Sequence, residues 1–278
     1  MEIGFGACLG FRVSDLGLMS TLYIVATPIG NLNDITLRAL ETLKRVSVVY
    51  CEDTRLTRRL FERHRISTPL KSYHQHSSSQ KVREVIESLR AGDVALVTDA
   101  GTPGIADPGN ELVHQLAVKQ FVSSSTDKQE TEKLKDLQIV PIPGPSAVTA
   151  AASVCGFHMS KFFFLGYVPK KGRSNFFKQV AESEISVILY ETPHRIVKTL
   201  EELNVIGANG RSSVGAENFQ PVQDAYSHTP MHERRIVVCR ELTKIYESIY
   251  RGTIDEVLTQ VRKDPVKGEY VIIIEGRK

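Results

Sequence analysis

From Leu22 onward, short apolar runs alternate with stretches of helical periodicity, and the runs end in glycine and proline. Few architectures accept that order. Strand, crossover helix and parallel strand, repeated, give a sheet buried on both faces by helices. Strands are expected at 22–26, 46–50, 70–73, 94–97 and 139–142, and helices at 34–45, 54–65, 79–91 and 108–119. A helix at 145–154 and a strand at 162–167 follow. Pro169, Lys170, Lys171 and Gly172 then break the pattern, which puts a domain boundary there and expected domains at 21–168 and 172–278. The second part repeats the alternation, with strands at 187–190, 236–240, 249–251 and 270–274 and helices at 193–203 and 254–261, as a mixed α/β lobe.

Parallel strands bring their carboxyl ends to one rim, where open α/β sheets bind ligands. Four turns rich in glycine or proline follow strands: Thr27 to Asn31, Asp99 to Gly109, Pro141 to Ser146 and Glu191 to Arg195. Any one of them is ordinary turn chemistry. Together, at corresponding strand ends, they outline a cleft. In the second turn, Asp107 as a helix N-cap with Pro108 at the first helical position accounts for those two residues. It leaves Asp99, Gly101 and Gly104 unexplained, and a backbone-exposing ligand loop explains them.

The charged residues, 35 basic against 32 acidic, leave a net charge of +3, which neither demands nor excludes a nucleic-acid partner. Cys8, Cys51, Cys155 and Cys239 form no C-x-x-C pair, which argues against zinc clusters and a disulfide framework and for a reducing compartment. His74 and His76 have no carboxylate or thiol at ligand spacing, so no metal is expected. No P-loop and no serine nucleophile elbow is present. Residues 1–20 lack the features of a secretory or transit peptide and are expected as a disordered extension, with Met19 just before the first strand. Gly4, Gly6 and Gly10 imitate a dinucleotide fingerprint but have no strand before them. The polar stretches 122–136 and 207–235 are expected as long surface loops or disorder.

Glu52, Asp53 and Arg55 crowd one strand-to-helix junction. Either Asp53 caps the helix and Glu52 complements its dipole, or one carboxylate orients or deprotonates a substrate hydroxyl. Arg55, Arg59 and Arg63 share a helix face with Arg58 and Arg65 close by, and only Glu62 opposes them. That is a solvated face or a phosphate-contacting stripe, as are Lys170, Lys171, Arg173 and Lys178.

Several strings in order, LYIVATPIGNLNDITLRALE from Leu22, YCEDTR from Tyr50, Val97 to Gly109, PGPSA from Pro143, LYETPHR from Leu189 and RELTKIY from Arg240, resemble the ribosomal RNA small-subunit methyltransferase I family. The resemblance implies a two-domain α/β enzyme of tetrapyrrole-methylase fold, with S-adenosyl-L-methionine in a cleft between the lobes. It implies 2′-O-ribose methylation of a cytidine in the decoding region of small-subunit rRNA, by a cytoplasmic or organellar-matrix homodimer with no membrane attachment. The backbone around Asp99, Gly101, Thr102, Gly104 and Ile105 would hold the cofactor, with Ser146, Ala147, Tyr190, Leu242 and Thr243. Pro28, Gly30, Asn31, Arg55, Arg59, His194 and Arg195 would meet substrate. A carboxylate would help a ribose hydroxyl attack, and Glu52, Asp53 and Glu191 are the candidates, Glu52 and Asp53 ahead. Two rivals remain: a methylase of the same fold acting on a porphyrinoid or a protein side chain, and a non-catalytic rRNA-binding assembly factor.

Overall fold

The structure, a computed structural model, describes residues 21–74, 79–121, 137–208 and 231–277. Expectations for 1–20, for His76, for 122–136 and for 209–230 lie outside them. The chain divides into two compact units, one of residues 1–28 and 32–145, the other of residues 29–31 and 146–278.

The first unit is built on β1 (Thr21–Val25), β2 (Val48–Cys51), β3 (Leu70–Ser72), β4 (Val94–Leu96) and β5 (Gln138–Ile142), all parallel, in the order β3-β2-β4-β1-β5. Its helices are α1 (Leu37–Arg45), α2 (Thr54–His64), α3 (Ser79–Ala91) and α4 (Asn110–Phe121). The two-residue period of each strand sorts side chains onto opposite faces. Leu22, Val48, Tyr50, Val94 and Leu96 meet Val85 and Leu89 of α3 and Leu112 and Leu116 of α4. Val25, Val49, Ala95 and Val97 meet Ala39 and Leu43 of α1 and Phe61 of α2. Both faces are therefore covered, as expected. From β1 the chain moves to β2 on one side of the central pair, and from β4 to β5 on the other. That divergence makes the carboxyl ends of β1 and β4 the switch point of the sheet.

The second unit contains α5 (Ala147–Val154), β6 (Phe162–Tyr167), α6 (Arg173–Glu182), β7 (Ser186–Glu191), α7 (Ile196–Ala208), a 3₁₀ turn (Met231–Glu233), β8 (Arg235–Arg240), β9 (Ser248–Thr253), α8 (Ile254–Lys263) and β10 (Tyr270–Ile274). Its sheet is mixed, β6-β7-β10-β8-β9, with β6 parallel to β7 and the remaining pairs antiparallel. β10 is buried along its whole length, as a central strand between two covered faces requires.

Three expectations are corrected. The boundary falls at Pro145/Ser146 and not at 169–172, because β6 pairs with β7 and so belongs to the second sheet. The break at 169–172 leads into a helix that the sequence reading did not mark: α6 starts at Arg173, behind Gly172 in the left-handed region, and buries Phe177 and Val180. The end of the polar stretch 207–235 is structured, since Met231 and Arg234 are buried. Arg234 donates to the Val180 and Ala181 carbonyls at the end of α6, where a cation complements the helix dipole.

Candidate active site

The rim of the first sheet is assembled from the segments that follow β1, β2 and β4. Past β1, Thr27 and Gly101 exchange both backbone hydrogen bonds, 2.9 and 3.0 Å, as an isolated antiparallel bridge. Thr27 Oγ1 also donates to the Thr98 carbonyl at 3.2 Å. Past β4 the chain runs through left-handed residues at Gly101 (φ 81°), Gly104 (φ 85°), Ala106 (φ 60°) and Gly109 (φ 135°). A Cβ on Gly104 would run into Asn110 Oδ1, and Asn110 Nδ2 holds the Gly104 carbonyl at 2.6 Å. The helix begins at Asn110, with Val113 N–H donating to the Gly109 carbonyl at 3.0 Å, so Asp107 and Pro108 do not occupy the cap and first helical positions expected of them.

Three carboxylates meet on this rim. Asp99 Oδ1 accepts from the Asp53 N–H at 2.8 Å, tying the loop after β4 to the turn after β2. Tyr73 N–H donates to the Cys51 carbonyl at 2.8 Å, which brings His74 up beside the same turn. Burial, then the charge of Asp99, pushes the Glu52 carboxyl above its ordinary range; His74 pulls it back and Asp53 adds a smaller push upward. Asp53 is in the opposite state. It is the N-cap of α2, accepts from the Arg55 N–H at 2.8 Å and pairs with the Arg55 guanidinium at 2.7 Å. Those bonds lower it to about 2. Of the two readings of this junction, capping is what Asp53 does, and a carboxylate so depressed is a weak base.

A small pocket of about 40 Å³ opens beside them, lined by Thr27, Pro28, Leu32, Leu56, Thr57, Leu60, Thr98 and Asp99. Thr98 Oγ1 is buried there with no hydrogen-bond partner among the described residues. Proteins rarely leave such a hydroxyl unsatisfied without a functional reason. The pocket has room for a group of one or two heavy atoms and not for a nucleoside. A larger ligand would be met by the exposed parts of the loop, Asp99 and Ile105. Gly101 has both polar backbone groups committed to Thr27, and the Thr102 hydroxyl donates to the Pro145 carbonyl at 3.1 Å. These two residues shape the loop, while Asp99 and Ile105 keep surface to offer.

In the second unit the expected residues fall into two groups. Ser146 is the N-cap of α5 but makes no side-chain cap bond, and Ala147 is the first helical residue. Tyr190 packs edge-on against Phe164 and Tyr167, with ring centroids 4.9 and 5.4 Å away. Leu242 packs on the sheet, and Thr243 sits in the left-handed region (φ 66°). Asn31 N–H donates to Thr243 Oγ1 at 3.1 Å, and a Cβ on Gly30 would stand 2.8 Å from the same oxygen. All of these keep a polar atom, a ring or a backbone turn that a ligand could use.

Glu191 and Arg195 form the other group, and the structure corrects both expectations. The Glu191 side chain is fully buried. Its Oε1 accepts from Thr192 N–H at 2.7 Å and pairs with Arg195 at 2.7 Å, and its Oε2 accepts from Thr199 at 2.7 Å. Arg195 donates also to the Val168 carbonyl at 2.9 Å. Arg173 closes the cluster through Thr199 and Glu202, so it too leaves the phosphate-contacting patch. Both oxygens of Glu191 are taken, and all three guanidinium nitrogens of Arg195 hold partners within the second unit. His194, Arg59, Lys170, Lys171 and Lys178 are exposed, and Arg55 is exposed while paired to Asp53. Pro28 is buried in the pocket wall. Sequence reasoning missed Thr98, whose only signal was its place between a strand and Asp99. Among the described residues no group of three or more His, Cys, Asp or Glu could hold a metal ion, and no helix is long and apolar enough to cross a membrane.

A parallel sheet with a glycine loop at its switch point, followed by a mixed sheet, defines the tetrapyrrole-methylase class of S-adenosyl-L-methionine-dependent methyltransferases. Residues 21–258 match the family described as Tetrapyrrole (Corrin/Porphyrin) Methylases. A cobalamin biosynthetic enzyme, cobalt precorrin-4 methyltransferase, superposes with a TM-score of 0.54 over 96% of this chain and 98% of its own, at 16% identity. Ribosomal RNA small subunit methyltransferase I of Halalkalibacterium halodurans is 36% identical over 92% of this chain and 76% of its own length. The protein of that name from Thermotoga maritima is 33% identical over 94% of this chain and 100% of its own. The chain therefore belongs to the ribosomal RNA small subunit methyltransferase I family, within the tetrapyrrole methylases.

Proposed function

We propose that this chain methylates the ribose 2′-oxygen of a cytidine in the decoding region of small-subunit rRNA, and that it does so as a homodimer in the cytoplasm or an organellar matrix. The observation that carries the chemistry is the rim of the first sheet, where Asp99 acts on the Glu52 carboxyl and lines a pocket together with Thr98, whose buried hydroxyl has no partner among the described residues. S-adenosyl-L-methionine supplies an electrophilic methyl group on a sulfonium. Asp99 and the backbone to Ile105 bind one side of it, with Ser146, Ala147, Tyr190, Leu242 and Thr243 assigned by family likeness. With the methyl donor bound, Glu52 would accept the proton that the 2′-hydroxyl loses as its oxygen takes the methyl group in place of the departing thioether. Much of the acceleration comes from holding oxygen and methyl at attack distance.

Glu52 suits the role because its raised affinity for protons brings it nearer the working pH, whereas Asp53 is held down and Glu191 is enclosed. Exposed Arg55, Arg58 and Arg59 on α2 offer phosphate contacts. Exposed Phe163, Leu165 and Tyr167, alternating along the edge strand β6, support the homodimer. The test is transfer of labelled methyl to small ribosomal subunits that lack the modification, with the product mapped by mass spectrometry. A 2′-O-methylcytidine in the decoding region is expected. A methyl on a base, or transfer only to a porphyrinoid, overturns the assignment.

A further inference from the structure

The helices on the two faces of the first sheet carry their charges differently. On one face α3 pairs most of them: Glu84 meets Lys81 at 2.7 Å and Lys71 of β3 at 3.1 Å, and Glu87 meets Arg90. Solvated helix faces commonly balance themselves in this way. On the other face α1 holds three arginines or lysines and α2 holds four, against one glutamate in each, all exposed. Arg38, Lys44, Arg58 and Arg59 make no ion pair or side-chain hydrogen bond among the described residues. The helix dipole accounts for the cations in the last turns, Lys44 and Arg45 of α1 and Arg63 of α2. It does not account for Arg38, which lies in the first turn of α1 where a cation is unfavourable. Nor does it account for Arg58 and Arg59, which with Arg55 and Arg63 set like charges three and four residues apart. Charge kept at a cost to the helices is charge available to a ligand, and its spread over two helices fits an extended polyanion.

We infer that the outer face of α1 and α2 docks the sugar–phosphate backbone of the RNA substrate, which runs along α2 to the turn that holds Glu52. This rests on the reading of the chain as an rRNA methyltransferase and adds to it α1, which the reaction does not otherwise involve. Two observations favour RNA over an acidic protein. First, α2 starts at Thr54, in the same turn as Glu52, so whatever lies along α2 leads to the residue proposed to take the hydroxyl proton. A protein seated there would block the nucleotide that reacts. Second, six of the seven cations are arginines, whose planar fork matches phosphate oxygens. The face with α3 is left without a part in docking.

The experiment measures binding of protein-free small-subunit rRNA, and of intact small ribosomal subunits, across a salt series. The proteins are wild type, Arg38→Gln, Arg58→Gln/Arg59→Gln and, on α3, the control Arg83→Gln/Arg90→Gln. Each arginine removed from α1 or α2 should cost roughly five- to tenfold in affinity near 0.1 M salt and lower the slope of log K against log salt by about 1. The α3 control should stay within about twofold, because charges more than a Debye length from the RNA are screened. Arg38→Gln and Arg58→Gln/Arg59→Gln relieve repulsion, so their melting temperatures and their affinities for S-adenosyl-L-methionine should not fall. Wild-type affinity and slope in Arg38→Gln, or an equal loss in the α3 control, overturns the docking face. A loss seen with intact subunits and not with protein-free rRNA assigns the face to a ribosomal protein and also overturns it. Losses confined to α1 and α2 in a protein that transfers no methyl uphold the face while breaking the enzymatic reading. Absence of RNA binding by the wild type breaks both.

Discussion

Glu52, the residue after β2 in the first unit, and Glu191, the last residue of β7 in the second, each stand where a strand gives way to a helix, yet the two sites give them opposite work. Glu52 sits partly buried among Asp99, Asp53 and His74, and burial, then the charge of Asp99, raises its proton affinity. Glu191 is enclosed by Arg195, Arg173, Thr192 and Thr199, with every oxygen engaged. A carboxylate left under-compensated can exchange a proton. One fully compensated holds helices to a sheet, here α6 and α7 to the end of β7. The difference lies in neighbours brought from elsewhere in the chain, not in the local string.

Glu52→Gln is the sharpest test of this contrast. Turnover should fall about 10²- to 10⁴-fold while the affinity for S-adenosyl-L-methionine, read by calorimetry, stays at the wild-type value. Turnover within a factor of a few of wild type would remove Glu52 as proton acceptor. Glu191→Ala should act on folding instead, since it strands two arginines in a buried site. Loss of about 3–5 kcal/mol in urea denaturation is expected, and a stable but inactive variant would return Glu191 to the reaction.

Next in size is the pH response of Glu52. Because Asp99 raises its proton affinity, Asp99→Asn should carry the acidic limb of the kcat profile to lower pH; an unchanged limb would show that Glu52 does not titrate in it. The smallest effect belongs to Asp53. Its folded value of about 2 lies below its ordinary 3.8, so its contribution to stability is present above pH 3.8 and lost as pH falls toward 2. Asp53→Asn should flatten that part of the stability curve, as followed by denaturant titration at each pH. A steeper curve would contradict the pairing with Arg55.

The elements of the first sheet were legible because each strand carries its own two-residue alternation and its own terminating turn. Which sheet a strand joins is not written locally. β6 looks like a sixth strand of the first unit until its pairing with β7 is known. α6 was obscured because its start is basic and close to Gly172, and only Phe177 and Val180 among its residues are buried. At the site, the turn at Asp99 to Gly109 announced itself through its glycines. The division of labour between Glu52 and Asp53 did not, because it depends on which carboxylate Arg55 and the α2 backbone capture. Arg195 read as a substrate contact for a similar reason: the Val168 carbonyl that holds it is 27 residues away in the chain.

The bridge between Thr27 and Gly101 has a mechanical consequence. Two segments that look like loops share a pair of backbone hydrogen bonds past the ends of adjacent strands, so the rim cannot open there without breaking both. Both amides are expected to exchange slowly, with the interior of the first unit and not with its fluctuating edge. A ligand arriving at this rim meets a surface already set, and the ordering cost that a mobile loop would impose on binding was met when the sheet folded.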